Sequence, residues 1–570
     1  MARIAIDPVT RIEGHLRIEA EVDAGKVSDA WSSGTMFRGI ELILKGRDPR
    51  EAWIWAQRIC GVCTTVHALA SVRAVEDALG IEIPDNARII RNLMAGIQLV
   101  QDHVIHFYHL HALDWVDVVA SLKADPAKTA QLAQSISPWP KSTADYFKGI
   151  QGRVQALADS GQLSLFSSGY WGHPAYTLPP EADLMAVAHY IEALEWQRDV
   201  IRMHAVMGGK NPHPQTYLVG GMASSMDPNE PDATITDERI NFMHQLVLTA
   251  RTFVEQVYVP DVLAVASLYP DWFKVGEGLG NFMAYGCYPQ GSIHDPSTFF
   301  LPRGIILNHD LSQVYPVAPE NVSEYVTHSW YTYSDGDSAG HNPYVGQTNP
   351  RYSGPKPPFD FLNTDAKYSW LKAPRYQDRP MEVGPLARML VAYASGHPQV
   401  KPVVDSVLTK LNAQPAVLFS TLGRVAARAI ETQVMVNQLD GWLTQLQDNL
   451  GHGNVKTFED SRWDPNSWPS SAQGFGFHEA PRGALGHWVQ IENKLIKNYQ
   501  AVVPSTWNAG PRDAKGQRGA YEAALLNTPI ADPQRPVEIL RTVHSFDPCL
   551  ACAVHVVDPR GAQFVQVKVR

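Results

Sequence analysis

The sequence predicts an α+β fold, predominantly helical, with a central bundle of long helices and β elements at its periphery. Three observations carry this. Apolar residues recur at helical spacing over several long stretches, a short alternating segment opens the chain, and one broad region rich in Gly, Pro, Ser, Asp and Tyr shows neither period. Over residues 3 to 22, Ile4 and Ile6 and then Leu16, Ile18 and Ala20 alternate with polar neighbours, which predicts two short strands around the turn Arg11-Ile12-Glu13-Gly14-His15. From Thr64 to Leu79, Leu69, Val72, Val75 and Leu79 share one helical face. A second long helix is predicted over Ile89 to Val119, and others over 181–205, 236–258 and 417–449, with Pro260 and Pro415 bounding the last two. The region 285–380, with His341-Asn342-Pro343-Tyr344 and Lys356-Pro357-Pro358, reads as strands and loops passing over a surface.

The chain has 570 residues, 45% of them apolar and 19% charged, with a formal net charge of -10. That balance excludes a nucleic-acid binder, whose phosphate contacts demand clustered Lys and Arg. No run of about 18 uncharged apolar residues occurs, and the opening Met-Ala-Arg-Ile-Ala-Ile-Asp-Pro lacks the basic-then-apolar profile of a secretory signal. Neither a repeat nor a linker divides the chain, so one large elaborated domain is expected.

Five cysteines are too few for a disulfide scaffold of this length, and four of them form two pairs of equal spacing: Cys60-Gly61-Val62-Cys63 and Cys549-Leu550-Ala551-Cys552. Two intervening residues let both sulfurs of a pair face one point, and a following helix start favours the thiolate. The pairs stand at opposite ends of the chain, unlike the closely spaced pairs of zinc ribbons. Three uses remain open at this point: a four-cysteine structural zinc site, a thiolate site for redox metals, and disulfide or dithiol chemistry. His67 and His555 follow Cys63 and Cys552 at helical offsets, where a ring N–H can meet a ligating sulfur.

Arg11-Ile12-Glu13-Gly14-His15, Arg58-Ile59-Cys60-Gly61-Val62-Cys63 with His67, and Asp547-Pro548-Cys549-Leu550-Ala551-Cys552-Ala553-Val554-His555 resemble the signatures of nickel-iron hydrogenase large subunits. So do Phe37-Arg38-Gly39-Ile40-Glu41, the run from His106 to Trp115, Ala480-Pro481-Arg482 through His487, and Val503 to Asn508, and the likeness spans the whole chain. The resemblance implies that Cys60, Cys63, Cys549 and Cys552 bind nickel, that Cys63 and Cys552 bridge to an iron carrying CO and two cyanides, and that Pro481, Arg482 and Ser505 surround those ligands. It makes Asp102 and Asp547 the acidic companions of Arg482, and Glu13 a proton relay. It implies a magnesium or other divalent ion held by Glu41, the Ala501 carbonyl and His555. The mature domain would be 1–555, and 556–570 a maturation peptide removed by an endopeptidase after chaperones insert nickel.

Once four cysteines are committed only Cys287 is left, and one thiolate cannot build an iron-sulfur cluster. Electrons from H2 must leave through another polypeptide. The resemblance supplies it as an iron-sulfur small subunit, co-exported to the periplasmic side of the membrane, with a membrane cytochrome b beyond it. Competing readings are an H2-sensing homologue, which generally lacks a tail such as the one after His555, and a quinone-reducing relative, which lacks the cysteine pairs. A metal site on Asp102, His103, His106 and His109 is disfavoured because Asp102 and His103 point apart on a helix. The run Gly276-Glu277-Gly278-Leu279-Gly280 lacks dinucleotide-binding spacing.

Overall fold

In a computed structural model, residues 2–553 are described except 162, 164, 165, 168, 231 and 356–360; for 552 and 553 the description is of the backbone alone. The opening alternation forms β1 (Ala2–Ile6) and β2 (Leu16–Asp23), joined by β3 (Lys26–Gly34) in an antiparallel sheet ordered β1-β2-β3. Ile6 pairs with Ile18 and Leu16 with Gly34, so Leu16, Ile18 and Ala20 are buried while the Arg11–His15 turn hangs from the sheet's end. Two short helices follow, α1 (Ile40–Leu44) and α2 (Ala52–Ala56), and then α3 (Val66–Leu79) and α4 (Asp85–Ile105).

The helix predicted over Ile89 to Val119 is shorter. α4 ends at Ile105 and passes into a widened π-type segment, His106–His111, and a single 3-10 turn, Ala112–Asp114. The widening lasts about one turn, too short for a periodic pattern to register, so the sequence hides it. The stretch 181–205 divides into Pro180–Val200 and Arg202–Gly208. Pro260 is no boundary: Asp237–Phe253 runs through a second π-type segment, Val254–Tyr258, into Val259–Leu268. There the Val259 N–H bonds five residues back to the Val254 carbonyl, and Pro260, second in the new helix, is placed where its missing N–H is tolerated. The helix expected at 417–449 is Thr421–Gly451, entered from the 3-10 turn Pro415–Leu418 and capped by Ser420 Oγ, which accepts the Gly423 N–H at 2.9 Å.

The long helices α4, Pro180–Val200, Asp237–Phe253 and Thr421–Gly451 share one core with α3, including Leu93, Ile97, Leu439 and Trp442. Against α3 lies a second antiparallel sheet, Ser471–Ala480, Gly483–Glu492 and Leu495–Val502. Gly476 allows this approach, since a Cβ there would stand 1.9 Å from the Ala70 carbonyl oxygen of α3. As predicted, the described residues of 285–380 supply short paired strands and loops, such as Cys287–Pro289 with Phe299–Leu301 and Val322–Tyr325 with Ala373–Tyr376. No helix among the described residues is long and apolar enough to cross a membrane. His555 and the tail 556–570 lie outside the described residues.

Candidate metal centre

Three buried cysteine sulfurs from both ends of the chain meet between α3 and the second sheet. Cys60 Sγ and Cys549 Sγ are 3.5 Å apart, and with Cys63 Sγ all lie within 4.8 Å of one another. Two thiolates on one ion, each about 2.3 Å from it, stand roughly 3.3 to 4.6 Å apart as their angle opens from about 90° to 180°. The donor set therefore fits a sulfur-ligated metal. Cys60 is extended, and the chain turns so that the Cys63 N–H donates to Cys60 Sγ at 3.4 Å before α3 starts. Cys552 lies in the helical turn Leu550–Ala553, and its side chain is outside the description. Among the described residues, these cysteines form the one convergent His, Cys, Asp or Glu group with ligand spacing.

The second pair is docked mainly by backbone. Leu550 N–H donates to the Glu13 carbonyl at 2.6 Å, Glu13 N–H to the Pro548 carbonyl at 3.4 Å, and Cys549 N–H to Ser505 Oγ at 3.0 Å. Gly14 permits this: it has φ +84°, and a Cβ there would lie 2.3 Å from Ala551 N. Burial, followed by the charge of Cys60, raises the Glu13 carboxyl above the ordinary carboxylate range, against the pull of Arg482 and Arg38.

Arg482 sits on the tight turn between Ala480 and Gly483 and spans two carboxylates, Asp547 Oδ1 at 3.0 Å and Asp102 Oδ2 at 3.3 Å. Gln98, one helical turn before Asp102, donates from Nε2 both to Asp102 Oδ1 at 2.7 Å and to the Val62 carbonyl at 3.0 Å. Burial pushes Asp102 up to about 8 even though the Arg482 charge opposes it, and Asp547 is raised for the same first reason. Behind the turn, Arg388 donates to the carbonyls of Ala480 and Pro481 and is itself held by Glu431 and Glu479. A small cavity with room for about one water is lined by Cys63, His67, Arg482, Leu485, Ser505 and Cys549. His67 Nε2 is buried there without a protein partner among the described residues, while Nδ1 meets His487 Nε2 at 3.0 Å. His487 continues through Tyr499 to Ser71, and burial lowers His67 to about 4.

Glu41 and Ala501 also meet, through the Ala501 N–H donating to Glu41 Oε1 at 2.9 Å. The resemblance implies the Ala501 carbonyl as an ion ligand; this hydrogen bond is a separate contact, made by its N–H. The other Glu41 oxygen accepts from the Thr348 hydroxyl, and Lys372, bonded to Glu324 and Gln500, adds a buried positive charge nearby. The histidines after Asp102 do not converge: His103 meets Glu431, His106 the His544 carbonyl and His109 the Tyr190 carbonyl. Gly276 and Gly278 instead pack a loop against Thr421 and Arg424. Sequence reasoning missed Gln98, Arg388 and the His487-Tyr499 chain; only Gln98 carried a local signal, its four-residue offset from Asp102.

Residues 38–555 match the family described as nickel-dependent hydrogenase, and 3–33 a model described as HoxL-like. The chain is 52% identical to an uptake hydrogenase large subunit of Bradyrhizobium diazoefficiens and 48% identical to the hydrogenase-1 large chain of Escherichia coli, in each case over 100% of this chain and 97% of the relative. Among solved structures, the reduced, active Ni-Fe-Se hydrogenase of Desulfomicrobium baculatum matches with TM-score 0.76 and 36% identity, covering 97% of this chain and 100% of that one. The as-isolated oxidised enzyme from D. vulgaris Hildenborough matches with TM-score 0.76 and 37% identity at the same coverage. The sulfur cluster, its arginine and the fold around them thus have one common setting: the chain belongs to the nickel-dependent hydrogenases, as a large subunit.

Proposed function

We propose that this chain activates H2 at a nickel-iron centre held by Cys60, Cys63, Cys549 and Cys552, with Cys63 and Cys552 shared by both metals. The carrying observation is the convergence of three buried sulfurs from opposite chain ends beneath Arg482. Bound there, the metal pair would supply heterolytic cleavage of H2 into protons and two electrons. Soft thiolates suit that task because they retain such metals while permitting redox change. Arg482 presents fixed positive charge to the cavity, and with Ser505 and the Pro481 turn it suits anionic cyanide ligands on iron; CO completes that set. Asp102 and Asp547 hold the guanidinium from two sides.

Glu13 receives the proton at its carboxylate and passes it outward; its raised pKa matches proton exchange better than an ordinary surface carboxylate would. His67 offers its cavity-facing Nε2 to a cysteine sulfur. Glu41, the Ala501 carbonyl and His555 would hold magnesium or another divalent ion, for which oxygen donors suit a hard cation. The tail 556–570 is removed by a maturation endopeptidase after chaperones deliver nickel. Electrons leave through an iron-sulfur small subunit, since the remaining Cys287 is buried alone. Around the first cysteine pair Leu42, Ile43, Ile54, Trp55 and Val62 are each more than a third exposed, an apolar margin suited to that partner. The assembly works on the periplasmic side of the membrane and passes electrons to a membrane cytochrome b.

Metal quantitation on the complex from a maturation-competent host tests this. One nickel with iron in the mature chain is expected, with nickel lost in Cys60→Ser or Cys549→Ser. Zinc alone, at one per chain, would return the cysteines to a structural role and refute the proposal.

A further inference from the structure

We infer that Arg38 is the clasp between the two cysteine pairs, a positioning residue that sets how far apart their sulfurs stand. Its Nη2 donates to two carbonyls, Ile59, immediately before Cys60, and Ala551, immediately before Cys552; the Ala551 bond is 2.6 Å long. Nη1 adds the Arg58 carbonyl at 3.3 Å. Ile59 and Ala551 are 492 positions apart (551 minus 59), yet one guanidinium nitrogen serves both. Among the described residues, the backbone contacts from Glu13 and Ser505 hold Leu550, Pro548 and Cys549 on the second pair's side alone. Arg38 touches both at once.

The side chain is well placed to act this way. Phe37 before it stacks on Trp370 with ring centres 4.9 Å apart, and α1 begins at Ile40 just after it, so its backbone is fixed on both sides. Ile59 closes a 3-10 turn and Ala551 sits in the short helical turn Leu550–Ala553, where carbonyls lack partners further along a helix, and a charged donor makes the stronger bond. The Arg38 charge is also felt at Glu13 and His67, two of the titratable groups near the sulfurs. Arg38 is half-buried, so its replacement does not leave a core charge unpaired or open a core cavity.

The inference rests on the proposal that both pairs serve one centre, and its test separates the two. Full-length, metal-free chain is oxidised with diamide, which takes the hydrogens of two thiols as they join in a disulfide and is itself reduced to the hydrazine. Peptide mapping then gives the ratio of Cys60–Cys549 to Cys60–Cys63 linkage. The second product forms within one loop and serves as the internal reference. Arg38→Gln is expected to lower the ratio at least tenfold, and Arg38→Lys less, because one ammonium replaces the fork. An unchanged ratio in Arg38→Gln overturns the inference, as does a wild type that forms no link between the pairs. In the matured complex, nickel is expected to dissociate at least tenfold faster from Arg38→Gln. A wild-type complex that holds no nickel refutes the proposed function instead and leaves the linkage result standing.

Discussion

Gly14→Ala places the smallest possible obstacle between the two ends of the chain. Gly14 has φ +84°, where an alanine costs about 1–2 kcal/mol. Its Cβ would stand 2.3 Å from Ala551 N, 2.7 Å from Leu550 C and 2.9 Å from Leu550 Cβ, none of which is the free end of a flexible side chain. Ordinary contact begins at about 3.4 Å, so Ala551 must retreat by about 1 Å, and such overpacking costs about 1–3 kcal/mol more. The sum is roughly 2–5 kcal/mol. The retreat loosens the Leu550 N–H bond to the Glu13 carbonyl and moves Cys549 away from Cys60. Because the strain falls where the Glu13-Gly14 turn meets Leu550 and Ala551 and not within the long helices, the variant is expected to fold with its helical core intact while losing most of its nickel. Circular dichroism and metal content on the same sample check this. Full nickel with unchanged stability would refute the argument that the Glu13-Gly14 turn seats the second cysteine pair.

Arg482→Lys is expected to retain fold and nickel but lose about 100-fold in H2 oxidation, because an ammonium cannot span Asp102 and Asp547 in one geometry; activity within twofold of wild type would sink this. Glu13→Gln keeps the backbone bonds to Leu550 and Pro548 and removes only proton exchange, so metal content should hold while H2/D2 exchange falls by about 100-fold or more. Unaltered exchange would assign the proton route elsewhere. Asp183, far from the centre in sequence, is pushed up to about 8 by burial and accepts the Asp117 N–H at 2.9 Å. The folded state then keeps a proton that the unfolded chain releases near pH 4, so this stability is present in acid and lost as pH rises toward 8. Relative to Asp183→Asn, wild type should lose about 1.4 kcal/mol per pH unit across that window in urea unfolding, and a pH-independent difference would contradict it.

What the sequence disclosed depended on distance along the chain. The cysteine spacings, the Glu13-Gly14 turn and the offset of His67 from Cys63 are local patterns, and the fold brings Cys63, His67 and Cys549 onto the wall of one cavity. The chain's path through Ile105 and Pro260 was hidden because a π-type widening lasts about one turn, too short for a periodic pattern to register. The Ala501 N–H contact to Glu41 was hidden for another reason: a strand's side-chain pattern does not reveal which distant side chain its backbone N–H will meet. Arg388, His487 and Arg38 act on residues between 12 and 513 positions away, and the longest of these pairings no window of sequence can display.

The same long-range pairings explain why so much charge is buried around the centre. Asp114 receives Arg11 Nη2 at 2.5 Å on one oxygen and His544 Nδ1 at 2.6 Å on the other, and His544 Nε2 reaches the Thr10 carbonyl at 2.9 Å. These partners hold the Asp114 carboxyl well below its usual range despite complete burial. Burying such groups is expensive, and apolar replacements of equal volume commonly stabilise a fold as well or better. Net stability is therefore a weak reason for the cluster, and geometry a stronger one. Arg11 stands two residues before Glu13, and His544 three residues before Asp547. By joining both to one carboxylate, the cluster fixes the turn that carries the proton acceptor against the helix end that carries Asp547 and Cys549. An apolar contact at the same place would tolerate sliding, whereas two directed charge-assisted bonds to one carboxylate permit a single register.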